Sequence, residues 1–71
     1  MPLKEQLEGL IDSMVSKGVR YTDAQREFEK KFIAHVLSQS GGNLGKAAEV
    51  LGIHRNTLTR KMTEYRLKRS A

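Results

Sequence analysis

Apolar residues recur along this chain at intervals of three and four, in four separate runs. Leu3, Leu7, Leu10, Ile11, Met14 and Val15 trace one narrow stripe, which predicts a helix from residue 3 to Lys17. Pro2 suits its first turn, and Gly18 suits the left-handed position that closes it. A stripe this narrow is heptad-like, the kind that pairs with another helix. Thr22 opens the second run, with Gln25 three positions on as in a capping box and with Asp23 and Glu27 favouring the positive end of the helix dipole. That helix should reach Gln39 and be closed by Ser40-Gly41-Gly42. Its Ala24, Phe28, Phe32, Val36, Ile33 and Leu37 cover an arc of about 220°, against about 100° for an ordinary surface helix. Such an arc must be covered from two sides, by the C-terminal half of the same chain and by a partner subunit.

Asn43 is the next N-cap candidate, opening a short helix to Leu51 with Ala47, Ala48 and Leu51 inward. Gly52 ends it. The last helix is expected from His54 to Arg66, with Leu58, Met62 and Tyr65 on one face. Two helices joined by about three residues around a glycine make a helix-turn-helix. Ala48 lets the pair approach closely, and Ile53 and Leu58 fill the angle between them. The expected class is therefore all-α.

Length and charge sharpen this picture. Seventy-one residues make one domain, and a chain so short buries only about 60% of its unfolded surface. Without cysteine it has no disulfide or thiolate metal site to help, which also fits a reducing cytoplasm. Oligomerisation is the remaining staple. Residues 1–40 carry six basic and six acidic groups, while residues 41–71 carry seven basic groups against Glu49 and Glu64. The whole net charge of +5 thus lies in the C-terminal half, which points to an anionic partner there. A membrane is excluded as that partner: the longest apolar run is Phe32-Ile33-Ala34, spanning needs roughly 20 apolar residues, and the first helix carries too many carboxylates to lie on anionic lipid. No secretory signal is visible. No nucleophile and base can be placed in one pocket, so no catalysis and no cofactor are expected. His35 and His54 are too far apart to suggest a metal pair, and Gly41-Gly42 lacks the strand and the GK[ST] of a phosphate loop.

Nucleic acid is the other anionic partner, beside an acidic protein, and the helix-turn-helix points to a duplex. With Leu58, Met62 and Tyr65 inward, the last helix presents Asn56, Arg60 and Thr63 outward, flanked by Thr59 and by Arg55. A recognition helix puts its N-terminal residues nearest the base edges. Arg55 then suits guanine O6/N7 and Asn56 adenine N6/N7. Thr57, Thr59, Arg60 and Lys61 read as a mixture of phosphate anchors and base-edge contacts. Asn43 and Lys46 fall where the first helix of the motif crosses the backbone. Arg66, Lys68 and Arg69 fit a basic tail as well as a set of phosphate contacts.

The run Gly42-Asn43-Leu44-Gly45-Lys46-Ala47-Ala48, continuing through Leu51-Gly52-Ile53 and Arg55-Asn56-Thr57-Leu58-Thr59-Arg60-Lys61, closely resembles the Fis-type DNA-binding domain. That domain is shared by the nucleoid protein Fis and by the C-terminal domains of sigma-54-dependent activators such as NtrC, and RNTLTRK is nearer the NtrC branch. The resemblance implies a four-helix homodimer, with residues 1–40 as dimerisation helices and 43–66 as the helix-turn-helix. Leu7, Leu10, Ile11, Met14, Phe28 and Phe32 would form the interface. Family DNA contacts, carried over position by position, fall on Asn43, Lys46, His54, Arg55, Thr57, Thr59 and Arg60; joined to the helix-face reading, they give Arg55, Asn56, Thr59 and His54 as base-reading and Asn43, Lys46, Thr57, Arg60 and Lys61 as phosphate-contacting. His54 stands where Fis has a capping, DNA-contacting Asn, a departure that bears on that contact and on its independence of pH. The first helix begins almost at Met1, so the β-hairpin arm of Fis and its recombinase activation are not expected. The expected function is sequence-preferring, DNA-bending regulation of bacterial transcription in the cytoplasm, on the nucleoid. If the chain is excised from an activator, RNA polymerase or an upstream ATPase domain would be a further partner. The alternatives are non-specific nucleoid-type packing and a helical protein-interaction adaptor. A non-specific RNA binder would want stacking aromatics, and Phe28 and Phe32 are committed to the core.

Overall fold

The computed structural model describes residues 2–68, and four helices occupy most of them: α1 (Leu3–Ser16), α2 (Tyr21–Gln39), α3 (Leu44–Leu51) and α4 (Arg55–Tyr65). Among the described residues there is no strand, so the chain is all-α as its periodicity predicts. Arg69 lies outside the described residues. No helix is long and apolar enough to cross a membrane.

All four helices end the same way. In each, one amide reaches back three residues and the next reaches back five: Gly18 to Val15 and Val19 to Met14, Gly41 to Ser38 and Gly42 to Leu37, Gly52 to Glu49 and Ile53 to Ala48, Arg66 to Thr63 and Leu67 to Met62. This Schellman pair satisfies carbonyls the helix leaves open, and it needs a left-handed residue at the turn. Gly52, with φ of 72°, supplies it between α3 and α4 at no steric cost. At the end of α4 the same position holds Arg66 with φ of 56°, where a side chain costs about 1 kcal/mol. Leu67 follows and folds back onto the core, which is why α4 stops at Tyr65, one residue short of the expected end.

The start of α2 also differs from expectation. Arg20, extended at φ −81° and ψ 157°, occupies the cap position without a side-chain hydrogen bond, and the amide of Ala24 already bonds to its carbonyl. Thr22 is inside the first turn, in helical conformation, so its hydroxyl cannot act as the N-cap. The capping-box reading with Gln25 is corrected accordingly.

The core consists of Ile33, Val36, Leu37, Leu44, Ala47, Ala48, Leu58 and Met62, with Leu51, Ile53 and Leu67 packed on its margin. Every one of these belongs to the second half of α2 or to the helix-turn-helix, except Leu67 just beyond it. Ala47 and Leu58 are fully inaccessible. α1 contributes no buried residue at all. Its stripe, with Leu7, Leu10 and Ile11 about half exposed, faces the first half of α2 across an apolar groove of about 590 Å³ that also involves Met14, Tyr21 and Phe28. The molecule is extended as a result: its radius of gyration is 13.7 Å, against about 11 Å for a compact chain of this length.

The wide arc of α2 divides accordingly. Ile33, Val36 and Leu37 are covered by α3 and α4, while Phe28 and Phe32, with ring centroids 5.5 Å apart, stay half exposed. Leu58 is the side chain on which the covered side turns. Leu58→Ala should lower unfolding stability by about 2–5 kcal/mol in urea titrations, and a loss below about 1 kcal/mol would mean that α4 does not depend on this contact.

Candidate nucleic-acid interface

The site begins at the two caps. Asn43, extended at φ −78° and ψ 107°, accepts a hydrogen bond from the Lys46 amide at 3.0 Å through its side-chain oxygen, which starts α3 where the sequence predicts. Beside it, a Cβ at Gly45 would meet only Asn43 Oδ1, at 3.5 Å, so the positive end of α3 is left uncovered.

His54 starts α4 in the same manner. The Asn56 amide donates to His54 Nδ1 at 3.0 Å, so the imidazole replaces the usual short polar cap. Nδ1 can accept only when it carries no proton, and the neutral ring then keeps its proton on Nε2. An exposed N–H donor is thereby fixed at the first turn of α4. α3 ends at Leu51 before Gly52 as expected, whereas α4 starts at Arg55, one residue after the expected start, with His54 outside it as the cap. The signal was available in the amide two residues on, although histidine is an uncommon cap.

Leu58 and Met62 are buried and Tyr65 is half-buried, so helical geometry sends Asn56, Thr59, Arg60 and Thr63 to the opposite side, where all four are exposed. Arg55, in the first turn, is exposed as well. The hydroxyls of Thr59 and Thr63 donate to the carbonyls of Arg55 and Thr59 at 3.1 and 3.2 Å. With its proton so engaged, the Thr59 hydroxyl meets a ligand as an acceptor, the complement of an adenine or cytosine amino group. Among the described residues, Lys46, Arg55 and Arg60 make no ion pair, and the start of α3 and the outer side of α4 therefore hold unneutralised positive charge.

Two of the residues expected on this surface sit elsewhere. Thr57 is half-buried on the flank of α4 that faces α2, beside Phe28, Phe32, Ile33, Leu51 and Ile53. Lys61 is on that same flank, and its ammonium lies 2.9 Å from Glu29 Oε1. It is not a free cation. The Tyr65 hydroxyl donates to the same carboxylate oxygen at 2.7 Å. One turn further along α2, Arg26 stands 3.4 Å from Glu64 and over the Tyr65 ring, 5.4 Å from its centroid. The Lys61 ammonium, and then the Tyr65 hydroxyl, hold the Glu29 carboxyl below the usual carboxylate range. The same hydrogen bond to Glu29 pushes the Tyr65 phenol up. None of these links between α2 and α4 is visible in the sequence, since the partners are 32 to 39 positions apart.

The arrangement resembles an anion-recognition surface more than a reaction centre. Among the described residues no group of His, Asp and Glu could hold a metal ion, and the polar groups on α4 open to solvent.

Comparison with known proteins agrees with this geometry. The profile of the family described as bacterial regulatory protein, Fis family, matches residues 24–65. A Fis-like DNA-binding protein of Xylella fastidiosa is 45% identical over 47 residues, which are 66% of this chain and 52% of that protein. The DNA-binding transcriptional regulator NtrC of Azospirillum brasilense is 40% identical over 62 residues, 87% of this chain and 13% of that protein. A signal-transduction and transcriptional-control protein of Clostridium beijerinckii is 45% identical over 42 residues, 59% of this chain and 7% of that protein. The chain therefore spans about half of the Xylella relative and a small part of the other two. No solved structure gives a significant match.

The cap at His54 is testable in the free protein. His54→Ala should cost about 1 kcal/mol in urea unfolding, whereas His54→Asn should stay within a few tenths of a kcal/mol because it caps equally well. Equal losses in the two variants would show that the Asn56 amide gains nothing from the imidazole.

Proposed function

The chain belongs to the Fis family of bacterial regulatory proteins, and from that premise we propose that it binds double-stranded DNA with sequence preference, as a homodimer, in the regulation of bacterial transcription. The outer side of α4 is the observation that carries the reading: Arg55, Asn56, Thr59 and Arg60 are exposed together on a helix whose rotation Leu58 fixes. Arg55 and Asn56 read base edges at the start of the helix, the first as a fork for guanine and the second as a donor and acceptor for adenine. Thr59 and the Nε2–H of His54 complete the reading set. Asn43, Lys46 and Arg60 take phosphates and set register and affinity, while Thr57, turned toward α2, is left out of the set. The protein does no chemistry on the DNA. It works in the cytoplasm, on the nucleoid, where the anionic polymer is.

The homodimer is supported by the uncovered apolar surface. Leu7, Leu10, Ile11, Met14, Phe28 and Phe32 lie along α1 and the first half of α2, all exposed except the half-buried Met14, in a chain whose own core begins only at residue 33. A second copy offers the same stripe in return, and a closed two-fold pairing uses both at once. Two reading helices then enter successive major grooves, with half-sites about one helical turn apart, and a closer spacing of the helices bends the duplex.

Selection of bound sites from random duplexes tests the whole reading. A recovered palindrome is the expected result. Binding without enrichment would favour non-specific packing, and no binding to any duplex would leave a protein-interaction adaptor. On the selected site, Arg55→Ala should cost about 1–3 kcal/mol and flatten the preference, while Lys46→Ala should weaken all sequences alike and reduce the salt slope by about 0.9. Uniform loss from Arg55→Ala, or an unchanged slope from Lys46→Ala, would reverse these roles. Ile11 is half exposed and outside the core, so Ile11→Asp should change the stability of that core by no more than about 0.5 kcal/mol yet abolish the dimer in sedimentation. A persisting dimer would move the interface elsewhere.

A further inference from the structure

The attachment of α4 to the rest of the molecule is of two kinds. At its centre, Leu58 and Met62 enter the apolar core. Apolar contact is non-directional and follows area, so it fixes how near α4 lies and which face it buries but constrains its tilt only loosely. Toward its C-terminal end α4 carries Lys61, Glu64 and Tyr65, and these three meet Arg26 and Glu29 of α2 by polar contact. Arg26 and Glu29 are one turn apart on α2, as Lys61 and Tyr65 are on α4, so the links form a clasp along both helices. Hydrogen bonds and ion pairs are directional, and the Glu29 links are shielded: the side chains of Glu29 and Lys61 are only 31% and 29% exposed. The Arg26–Glu64 pair, at 53% and 40%, is the weaker half. Lys61 directly follows Arg60 in the chain, so whatever holds Lys61 toward α2 holds Arg60 toward solvent.

We propose that Glu29 is a positioning residue for DNA recognition: through Lys61 and Tyr65 it sets the angle of the reading helix on the helix that carries the dimer, and Lys61 acts through it and not on the phosphate backbone. This rests on the reading of α4 as the DNA-contacting helix of a homodimer. Because the two reading helices of a dimer are related through their α2 helices, the clasp sets the distance between half-sites that the dimer accepts. It is a determinant of spacing and carries no base preference of its own.

Electrostatics alone and the clasp give opposite signs when Glu29 is removed. Deleting a carboxylate from a DNA-binding surface relieves repulsion and, if Lys61 is a phosphate anchor, frees that anchor, so Glu29→Ala should then bind DNA more tightly. The clasp requires the reverse. The experiment measures the full chain on duplexes carrying the selected half-sites at several spacings, across a range of salt. Glu29→Ala should lose about three- to tenfold in affinity at the best spacing and bind neighbouring spacings nearly as well, with an unchanged dimer in sedimentation. Glu29→Gln, which keeps an acceptor oxygen for Lys61 and Tyr65, should stay within about twofold and retain the spacing preference. Lys61→Ala should lower affinity with no change of salt slope, where a phosphate contact would reduce the slope by about 0.9. Tighter binding by Glu29→Ala, an intact spacing preference in that variant, or a reduced slope in Lys61→Ala would each overturn the proposal. If Glu29→Ala loses helicity, Tyr65→Phe carries the test, because it deletes one hydroxyl: a broadened spacing preference supports the clasp and an intact one overturns it. Failure of the unmodified chain to bind any duplex would remove the DNA reading itself, and the clasp with it.

Discussion

Leu58 is enclosed in one core with Ala47 and Ala48, and that packing governs most of what this chain can present to a partner. The two alanines have almost nothing beyond Cβ, so α3 and α4 approach closely and Leu58 is fully enclosed. A helix with one face so enclosed has its opposite face decided: successive residues turn by about 100°, and Asn56, Thr59 and Arg60 must stand outside. A larger residue at position 47 or 48 would push α4 away, and a polar one at 58 would be buried without a partner. Reading face and core are two sides of one packing decision.

Charge is partitioned along the same line. Lys61, on the α2 side of α4, is bonded to a carboxylate, while Arg55 and Arg60, turned to solvent, have none. Pairing the inner cation removes the cost of holding it half out of water, and leaving the outer ones unpaired keeps them available to an anion. The capped starts of α3 and α4 add positive helix ends beside those arginines. A net charge of +5 is therefore not spread as a general basic coat.

The helix-turn-helix was legible because each of its signals is local. Asn43 and Gly52 mark their boundaries by chemistry that needs no tertiary information, and the inward residues of α3 and α4 recur at the helical period. Legibility failed where the deciding partner was distant or where two local signals competed. Thr22 looks like a cap, but the chain leaving the Gly18 turn was already helical at Tyr21, and a cap must be the last residue outside the helix. Lys61 looks like its neighbour Arg60 in sequence, and only the crossing of α2 over α4 brings Glu29 to it. Leu67 lies past the end of the periodic run, and its burial comes from the Schellman turn at Arg66, which no hydrophobic pattern announces. His54 has the position of a cap without the usual side chain, and its function there follows from Nδ1 reaching the amide two residues ahead.

The same local logic explains why α1 is formed but not buried. Its stripe is too narrow to compete with the second half of α2 for the small core, and eight buried side chains cannot be extended by one more helix without covering Phe28 and Phe32, which stay half exposed at its edge. An isolated helix of 14 residues is marginal in water, and Gly9 within it costs roughly a further 1 kcal/mol. α1 is thus a helix whose order depends on being covered. If its cover is a second chain, as proposed, then folding of α1 and pairing of subunits are one event, and the concentration of the protein sets how much of it is competent to place two reading helices on one duplex.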